Sequence, residues 1–146
     1  MITMTTYTVY EYLKQKFPEL SNHLRNGNLD KGSKNSIGVF NASDTRQSGN
    51  LAIGGIDCTV TKMLPVNIQI RWSDNQREHD NQAVKIYNEL LTEGNNFFVN
   101  DVKIACIMLL DGCPISLGRD EKNTCESVIR ANFYYYVQEV EHNDET

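Results

Sequence analysis

The segment MLPVNIQIRW, residues 63–72, alternates apolar and polar side chains along its length. The apolar positions are every second residue: Leu64, Val66, Ile68, Ile70 and Trp72. Because successive side chains of a β-strand point to opposite faces of a sheet, this pattern predicts a strand with one buried face. The opposite face is then available to solvent or to a neighbouring molecule. A single strand is not stable alone, so the chain must supply a sheet and a layer that covers its apolar face.

A helix is predicted near the N-terminus, where apolar residues recur close to helical spacing. These residues are Val9, Leu13, Phe17, Leu20 and Leu24. Thr8 and Glu11 fit a capping box, in which each side chain bonds a free backbone N–H of the first turn. Pro18 is expected to kink or divide this helix, because its ring clashes with the preceding turn.

A second helix is predicted after the alternating strand. Ser73 is a candidate N-cap with Gln76 three residues later, and the helix should end near Gly94. Its apolar stripe is expected to contain Ala83, Val84, Tyr87, Leu90 and Leu91. Such a stripe predicts a helix packed on the sheet.

Three further segments indicate strands. SIGVFN is short and apolar, NFFVNDVKIACIMLL indicates two strands joined by a turn at Asn100 and Asp101, and CESVIRANFYYYVQEV indicates a long final strand. Adjacent strands argue against a repeated βαβ winding, so the predicted fold is α+β, with a mainly antiparallel or mixed sheet and helices packed on one face. We expect one domain over residues 1–138, followed by an acidic, solvated tail at 139–146.

Composition narrows the class of partner. Fourteen basic and 19 acidic side chains give a net charge of −5, which disfavours a surface that binds duplex nucleic acid by neutralising phosphates. The N-terminus lacks the basic and apolar regions of a signal peptide, and no segment approaches the roughly 18 apolar residues that span a bilayer. A protein partner is therefore favoured over a membrane or nucleic acid.

No residue pattern points to catalysis or to a metal. The four cysteines, Cys58, Cys106, Cys113 and Cys125, form no CxxC pair and have no nearby cluster of histidines, so we expect free thiols and no zinc. The three histidines, His23, His79 and His142, lie in polar stretches and are expected to be exposed. A Cys–His nucleophile pair stays open, because such partners meet only in space. No catalytic residue, cofactor or metal is predicted.

Four consecutive aromatic residues, Phe133 to Tyr136, mark the final strand. On a strand Phe133 and Tyr135 share one face, while Tyr134 and Tyr136 share the other. A platform that stacks single-stranded bases would also need a positive groove, which an acidic C-terminus does not supply. We expect one face in the core and the other against a neighbouring subunit.

Five of these segments resemble, in their order along the chain, those of a known protein family. SIGVFN, VNIQIRW, VKIYNELL, FFVNDVKIA and PISLGRDEKNTCESVIRANFYYYV follow one another over residues 36–138. In this order they resemble the tail-terminator and minor-capsid family of tailed bacteriophages and their prophage relatives. In that family a P-x-x-L-G-x-D segment leads into the last strand, as PISLGRD does here.

The resemblance implies a structural virion protein with a tail-terminator-like fold. Such subunits form a ring, usually a hexamer, that caps the tail tube, stops its polymerisation and joins it to the head-side neck. The implied partners are other copies of the chain, the tail tube protein and the neck or connector proteins, with DNA passing through the lumen without specific binding. The implied location is the tail or neck of the virion, after assembly in the cytoplasm of the host bacterium. No reaction is required.

Other functions stay open beside this one. A different neck component, such as a head–tail joining or stopper protein, would share the fold. An enzyme that uses Cys113 or Cys125, and a monomeric adaptor that binds through exposed tyrosines, are the alternatives from other classes.

Two groups of residues are candidates for the subunit or tube interface. The first lies on the polar side of the alternating strand, and the second lies in the late loop LGRDEKNT. They are Asn67, Gln69 and Arg71, and Arg119, Asp120 and Glu121. The alternative for all six is ordinary solvent exposure.

Overall fold

The computed structural model describes residues 2–29, 34–42 and 60–138. The α-helices in these ranges are α1 (Thr6–Lys16) and α2 (Gln76–Thr92), with a 3-10 helix at Pro18–Leu20. The strands are β1 (Leu24–Asn26), β2 (Ser36–Asn41), β3 (Thr61–Arg71), β4 (Phe97–Val99), β5 (Val102–Leu109), β6 (Ile115–Arg119) and β7 (Cys125–Tyr136). They form one seven-stranded sheet in the order β1-β2-β3-β7-β5-β4, with β6 also paired to β7.

The centre of the sheet is the long antiparallel pair of β3 and β7, which runs from Thr61 opposite Tyr136 to Arg71 opposite Glu126. The other edge of β7 pairs with two strands in turn. Its first residues pair with β6, and its later residues pair with β5. Strands β1 and β2 are parallel, whereas the other pairs are antiparallel. The predicted mixed sheet of an α+β fold is confirmed.

One face of this sheet forms the core. Its central residues are all buried: Val66, Ile68, Ile70, Ile129, Ala131 and Phe133. The buried sides of both helices join the same hydrophobic cluster, and the Tyr12 ring of α1 lies 5.6 Å from Phe97 and 6.2 Å from Phe133. We call this face the inner face and the opposite one the outer face. The prediction that helices pack on one face is confirmed.

The first helix differs from its prediction at both ends. It begins at Thr6 after Thr5, whose side chain makes no capping hydrogen bond, so the capping box at Thr8 is wrong. Pro18 does divide the segment, because a 3-10 helix starts there. Leu24 lies in β1 rather than in a helix, and its burial comes from the sheet.

The N-cap of the second helix lies two residues later than predicted. Asn75 is the N-cap, and its side-chain oxygen accepts hydrogen bonds from the N–H groups of Arg77 and Glu78. Ser73 has a positive φ of 61° and its hydroxyl instead accepts the Asn75 N–H. The helix ends at Thr92, before Gly94.

The buried stripe of α2 also differs from the prediction. Ala83, Tyr87 and Leu90 are buried as expected, together with His79 and Ile86. Val84 and Leu91, predicted to be buried, are 43% and 59% exposed. The stripe is therefore rotated toward His79, which leaves two apolar side chains on the outside of the helix.

The strands β1 and β6 are absent from the prediction, which placed Leu24 on the first helix and treated the residues of β6 as a loop. The other five strands were predicted, and the turn between β4 and β5 lies at Asn100 and Asp101 as expected. Three predicted features lie outside the described residues: the acidic tail at 139–146, Cys58 and His142. No helix in the described ranges is long and apolar enough to cross a membrane.

Tyr12 links the two helices through a partly buried network. Its hydroxyl donates to Glu93 Oε2 at 2.8 Å, and Lys16 Nζ lies 3.0 Å from the same oxygen. Burial raises the pKa of Tyr12, and the hydrogen bond to Glu93 raises it further. The folded protein therefore keeps this proton at a pH where the unfolded chain has lost it.

This shift predicts a loss of stability in alkali. An unfolded tyrosine ionises near pH 10, so unfolding releases a proton above that pH and the free energy of unfolding falls as pH rises. We expect Tyr12→Phe to cost about 1 kcal/mol at pH 7 and to make the decline above about pH 10 less steep. Urea unfolding at a series of pH values measures both. Parallel profiles for the two proteins would contradict the assignment.

Candidate interaction surface

The outer face of the sheet carries the polar rows of β3 and β7. Asn67 lies opposite Arg130, and Arg71 lies opposite Glu126. Gln69 lies in the same row and is half-buried. Among the described residues, α1 and α2 pack on the inner face and neither covers these rows. The structure therefore brings the first group of predicted interface residues together on one surface.

Two arginines of this surface are paired with carboxylates of the same chain. Arg71 Nε donates to Glu126 Oε1 at 2.6 Å, and these side chains are only 14% and 15% exposed. The Arg130 guanidinium donates to both carboxylate oxygens of Asp111 at 2.8 and 2.7 Å, and this hydrogen bonding raises the pKa of Arg130. Both ion pairs neutralise the surface locally. The Arg71 side chain therefore bonds to its own chain and is mostly buried, so the alternative of ordinary solvent exposure is wrong for this residue.

The remaining outer-face positions are largely apolar or aromatic. Tyr134 lies between Met63 and Cys106 in the register, and both tyrosines of this row are half-buried. The Tyr136 hydroxyl donates to Asn96 Oδ1 at 2.7 Å, and Lys103 Nζ lies 5.2 Å from the Tyr136 ring centre. The predicted division of the tyrosines is confirmed, since Tyr135 is 4% exposed in the core.

Asn132 stands out on the outer face. It is 6% exposed, and its Oδ1 has no hydrogen-bond partner. Its neighbours across the two adjacent strands are Pro65 and Met108, whose side chains carry no donor. A buried amide oxygen without a donor costs roughly 1–3 kcal/mol. The folded chain therefore bears this cost.

The second group of predicted interface residues has local roles. The Arg119 guanidinium donates to the backbone carbonyls of Asp74 and Asn123 at 2.6 and 3.1 Å. The Asp120 carboxylate accepts the N–H groups of Lys122 and Thr124, which closes the turn.

The position of this turn separates it from the first group. Arg119 lies opposite Cys125, on the inner face, while Arg71 lies one register position away on the outer face. Glu121 is exposed in the turn. The two groups thus share one end of the sheet and do not form one surface.

The prediction that His79 is exposed is wrong, because the residue is 1% exposed. Its Nδ1 donates to the Trp72 carbonyl at 3.1 Å, and its Nε2 forms a hydrogen bond with the Ser127 hydroxyl at 2.9 Å. His79 is four residues before Ala83 on the buried stripe, but the apolar pattern omits it because histidine counts as polar. The side chain joins α2 to the ends of β3 and β7.

The cysteines in the described ranges, Cys106, Cys113 and Cys125, are free. Cys125 is buried with Sγ 3.6 Å from Gln76 Oε1, whereas Cys113 is exposed beside a cavity of about 280 Å³ between α2 and β6. The His79 nitrogens are bonded elsewhere, so His79 does not activate either thiol in this arrangement. Within the same ranges, no group of three metal-ligating side chains could hold a metal ion.

No protein-family model matches the chain, and no curated protein matches it. The surface chemistry and the resemblance of the segment order are therefore the grounds for a functional proposal.

Proposed function

We propose that this protein is a structural subunit of a phage tail or neck, of the tail-terminator type, that forms a ring at the end of the tail tube. The observation that carries the proposal is the outer face, a broad sheet surface without helix cover among the described residues, on which Arg71 and Arg130 are already paired with carboxylates. A surface with such pairs is suited to burial against another protein, because less unpaired charge must be desolvated. The order of the strands and helix in the sequence supports the same class.

Ring formation would follow from a contact between different patches on neighbouring subunits. Repetition of such a contact closes a ring when the rotation between subunits allows it. One annular side of the ring would then bind the last tube ring, and the other side would bind the neck. The net charge of −5 favours passage of DNA through the lumen, because unneutralised acidic side chains repel phosphate.

Native mass measurement and negative-stain microscopy of the purified protein test this proposal. We expect a closed ring, and we expect added protein to stop the elongation of the tail tube protein from the same particle. A matched control is the same amount of protein after heat denaturation, which should leave tube length unchanged. A strictly monomeric protein that leaves tube growth unaffected would refute the proposal.

A stopper or joining protein of the neck would also form rings. Tube capping separates this alternative from a terminator, because a stopper should bind the connector and leave free tube ends growing. Electron microscopy of tubes with the protein added, scored for density at their ends, distinguishes the two.

A further inference from the structure

A cavity of about 240 Å³ lies at the N-terminal end of α2, away from the outer face of the sheet. Its walls come from four parts of the chain: the residues before β2, the residues after β3, the first turn of α2 and the turn before β7. The volume is below the roughly 300–1,000 Å³ of a pocket for a drug-sized molecule. The cavity therefore suits a ligand of about one small ring.

Two residues with left-handed backbone conformations meet at the rim of this cavity. Asn35 has a φ of 49° and Ser73 has a φ of 61°, and Asn35 Oδ1 accepts the Ser73 N–H at 2.9 Å. This bond fixes the Asn35 amide and leaves its two N–H groups without a partner among the described residues. The Ser73 hydroxyl donates to Glu78 Oε2 at 2.8 Å, so Glu78 Oε1 keeps its capacity to accept.

Thr124 supplies a buried hydroxyl to the cavity. The residue is 2% exposed and lines the cavity wall. Its N–H and carbonyl both bond to Asp120, whereas its Oγ1 has no hydrogen-bond partner among the described residues. Buried hydroxyls in folded proteins nearly always have a partner. A hydroxyl without one, at the edge of a space of this size, indicates a polar ligand.

The charged and polar groups of the wall favour a neutral ligand that carries hydroxyls. Asp74 and Glu78 offer carboxylate acceptors, while Lys34 and Asn35 offer donors. An anion would meet the two carboxylates, and a simple cation would meet the lysine ammonium. A hydroxyl both donates and accepts, so a ligand with several hydroxyls can satisfy both kinds of group without bringing a charge.

Trp72 adds an apolar wall to this polar cavity. Its ring is in edge contact with the His23 ring, whose centre is 5.1 Å away. A sugar ring combines a face of C–H groups, which packs on an aromatic ring, with a rim of hydroxyls. We propose that the cavity binds one neutral sugar ring, which packs on Trp72 and bonds the carboxylates and the Thr124 hydroxyl. The site lies apart from the outer face, so it does not depend on ring formation.

The fluorescence of Trp72 tests this proposal directly, because Trp72 is the single tryptophan of the chain. The purified full-length protein is titrated with D-glucose, D-galactose, D-mannose and N-acetyl-D-glucosamine, and with L-arginine as a charged ligand of similar size. We expect a saturable change in emission with at least one sugar, with a dissociation constant of about 1 mM. The absence of a saturable response to all four sugars would overturn the proposal, and so would a response to L-arginine alone.

Thr124→Val separates binding from folding. It keeps the volume of the side chain and removes a hydroxyl that has no partner in the described chain, so the melting temperature should change by no more than about 1 °C. Sugar affinity should fall about fivefold, because one hydrogen bond to the ligand is lost. Thr92→Val is the matched control, since Thr92 is exposed at the other end of α2 and its loss should leave affinity unchanged.

Asp74→Asn tests the acceptors of the wall. The substitution keeps the backbone carbonyl that Arg119 binds, so the fold should be retained. It removes a charged acceptor, and sugar affinity should fall about tenfold. Asp80→Asn is the control, because Asp80 is on the same helix and lines a different cavity. A sugar response that both Asp74→Asn and Thr124→Val leave unchanged would place the sugar elsewhere and overturn the proposal.

Discussion

His79→Ala is expected to lower the free energy of unfolding by about 3–5 kcal/mol. The side chain is 1% exposed, so its removal leaves a cavity at the junction of α2, β3 and β7. The substitution also removes the donor to the Trp72 carbonyl and the hydrogen-bond partner of the Ser127 hydroxyl. Urea unfolding followed by far-UV circular dichroism measures the loss.

Ser127→Ala is the matched control for this prediction. It removes one partner of His79 and leaves the ring in place, so we expect a loss of only about 1 kcal/mol. Ser127 and His79 are in contact, so the double variant should lose less than the sum of the two single losses. Equal losses from the two single variants would show that the hydroxyl contact, and not the buried ring, carries the stabilisation.

The sheet was accessible to sequence reasoning because its signals are local. Alternation in residues 63–72 predicts both the strand β3 and its two faces, and Asn100 marks the turn between β4 and β5 with a positive φ of 53°. Asparagine tolerates this conformation better than most residues do. The strand β6 was missed because it is only five residues long, contains Gly118 at a bulge and has four exposed positions.

The predicted buried side of α2 is rotated about the helix axis relative to the observed one, because histidine counts as a polar residue in the apolar pattern. Omitting His79 shifts the stripe toward Val84 and Leu91, which the structure places outside. Burial of His79 depends on Trp72 and Ser127, and the latter is 48 residues away in the sequence. Periodicity cannot show that such a distant partner will satisfy a polar ring.

The interface prediction has the same limit. Alternation correctly groups Asn67, Gln69 and Arg71 on one face, but the partner of Arg71 is Glu126, 55 residues later. The unpaired Oδ1 of Asn132 is equally invisible in the sequence, because it results from Pro65 and Met108 on two neighbouring strands. Local patterns therefore predict faces, while the pairing of charges and amides across strands comes only from the register.

Arg71→Glu is expected to cost about 3 kcal/mol of stability, because it breaks a mostly buried ion pair and places two carboxylates side by side. This loss would also disrupt assembly, so the single reversal cannot test a contact between subunits. The double reversal, Arg71→Glu with Glu126→Arg, restores opposite charges across the same register pair. We expect it to recover most of the stability.

The double reversal also separates the two possible roles of Arg71. If Arg71 only neutralises the outer face, the reversed pair leaves the face neutral and rings should form as in the wild type. If Arg71 instead binds a carboxylate of the neighbouring copy, the reversed pair should be stable but monomeric. Thermal melting and mass photometry of both variants give the answer, and a doubly reversed protein as unstable as the single variant would show that Glu126 is not the partner that matters. Since the pair is 2.6 Å apart and about 15% exposed, we expect stable, ring-forming protein.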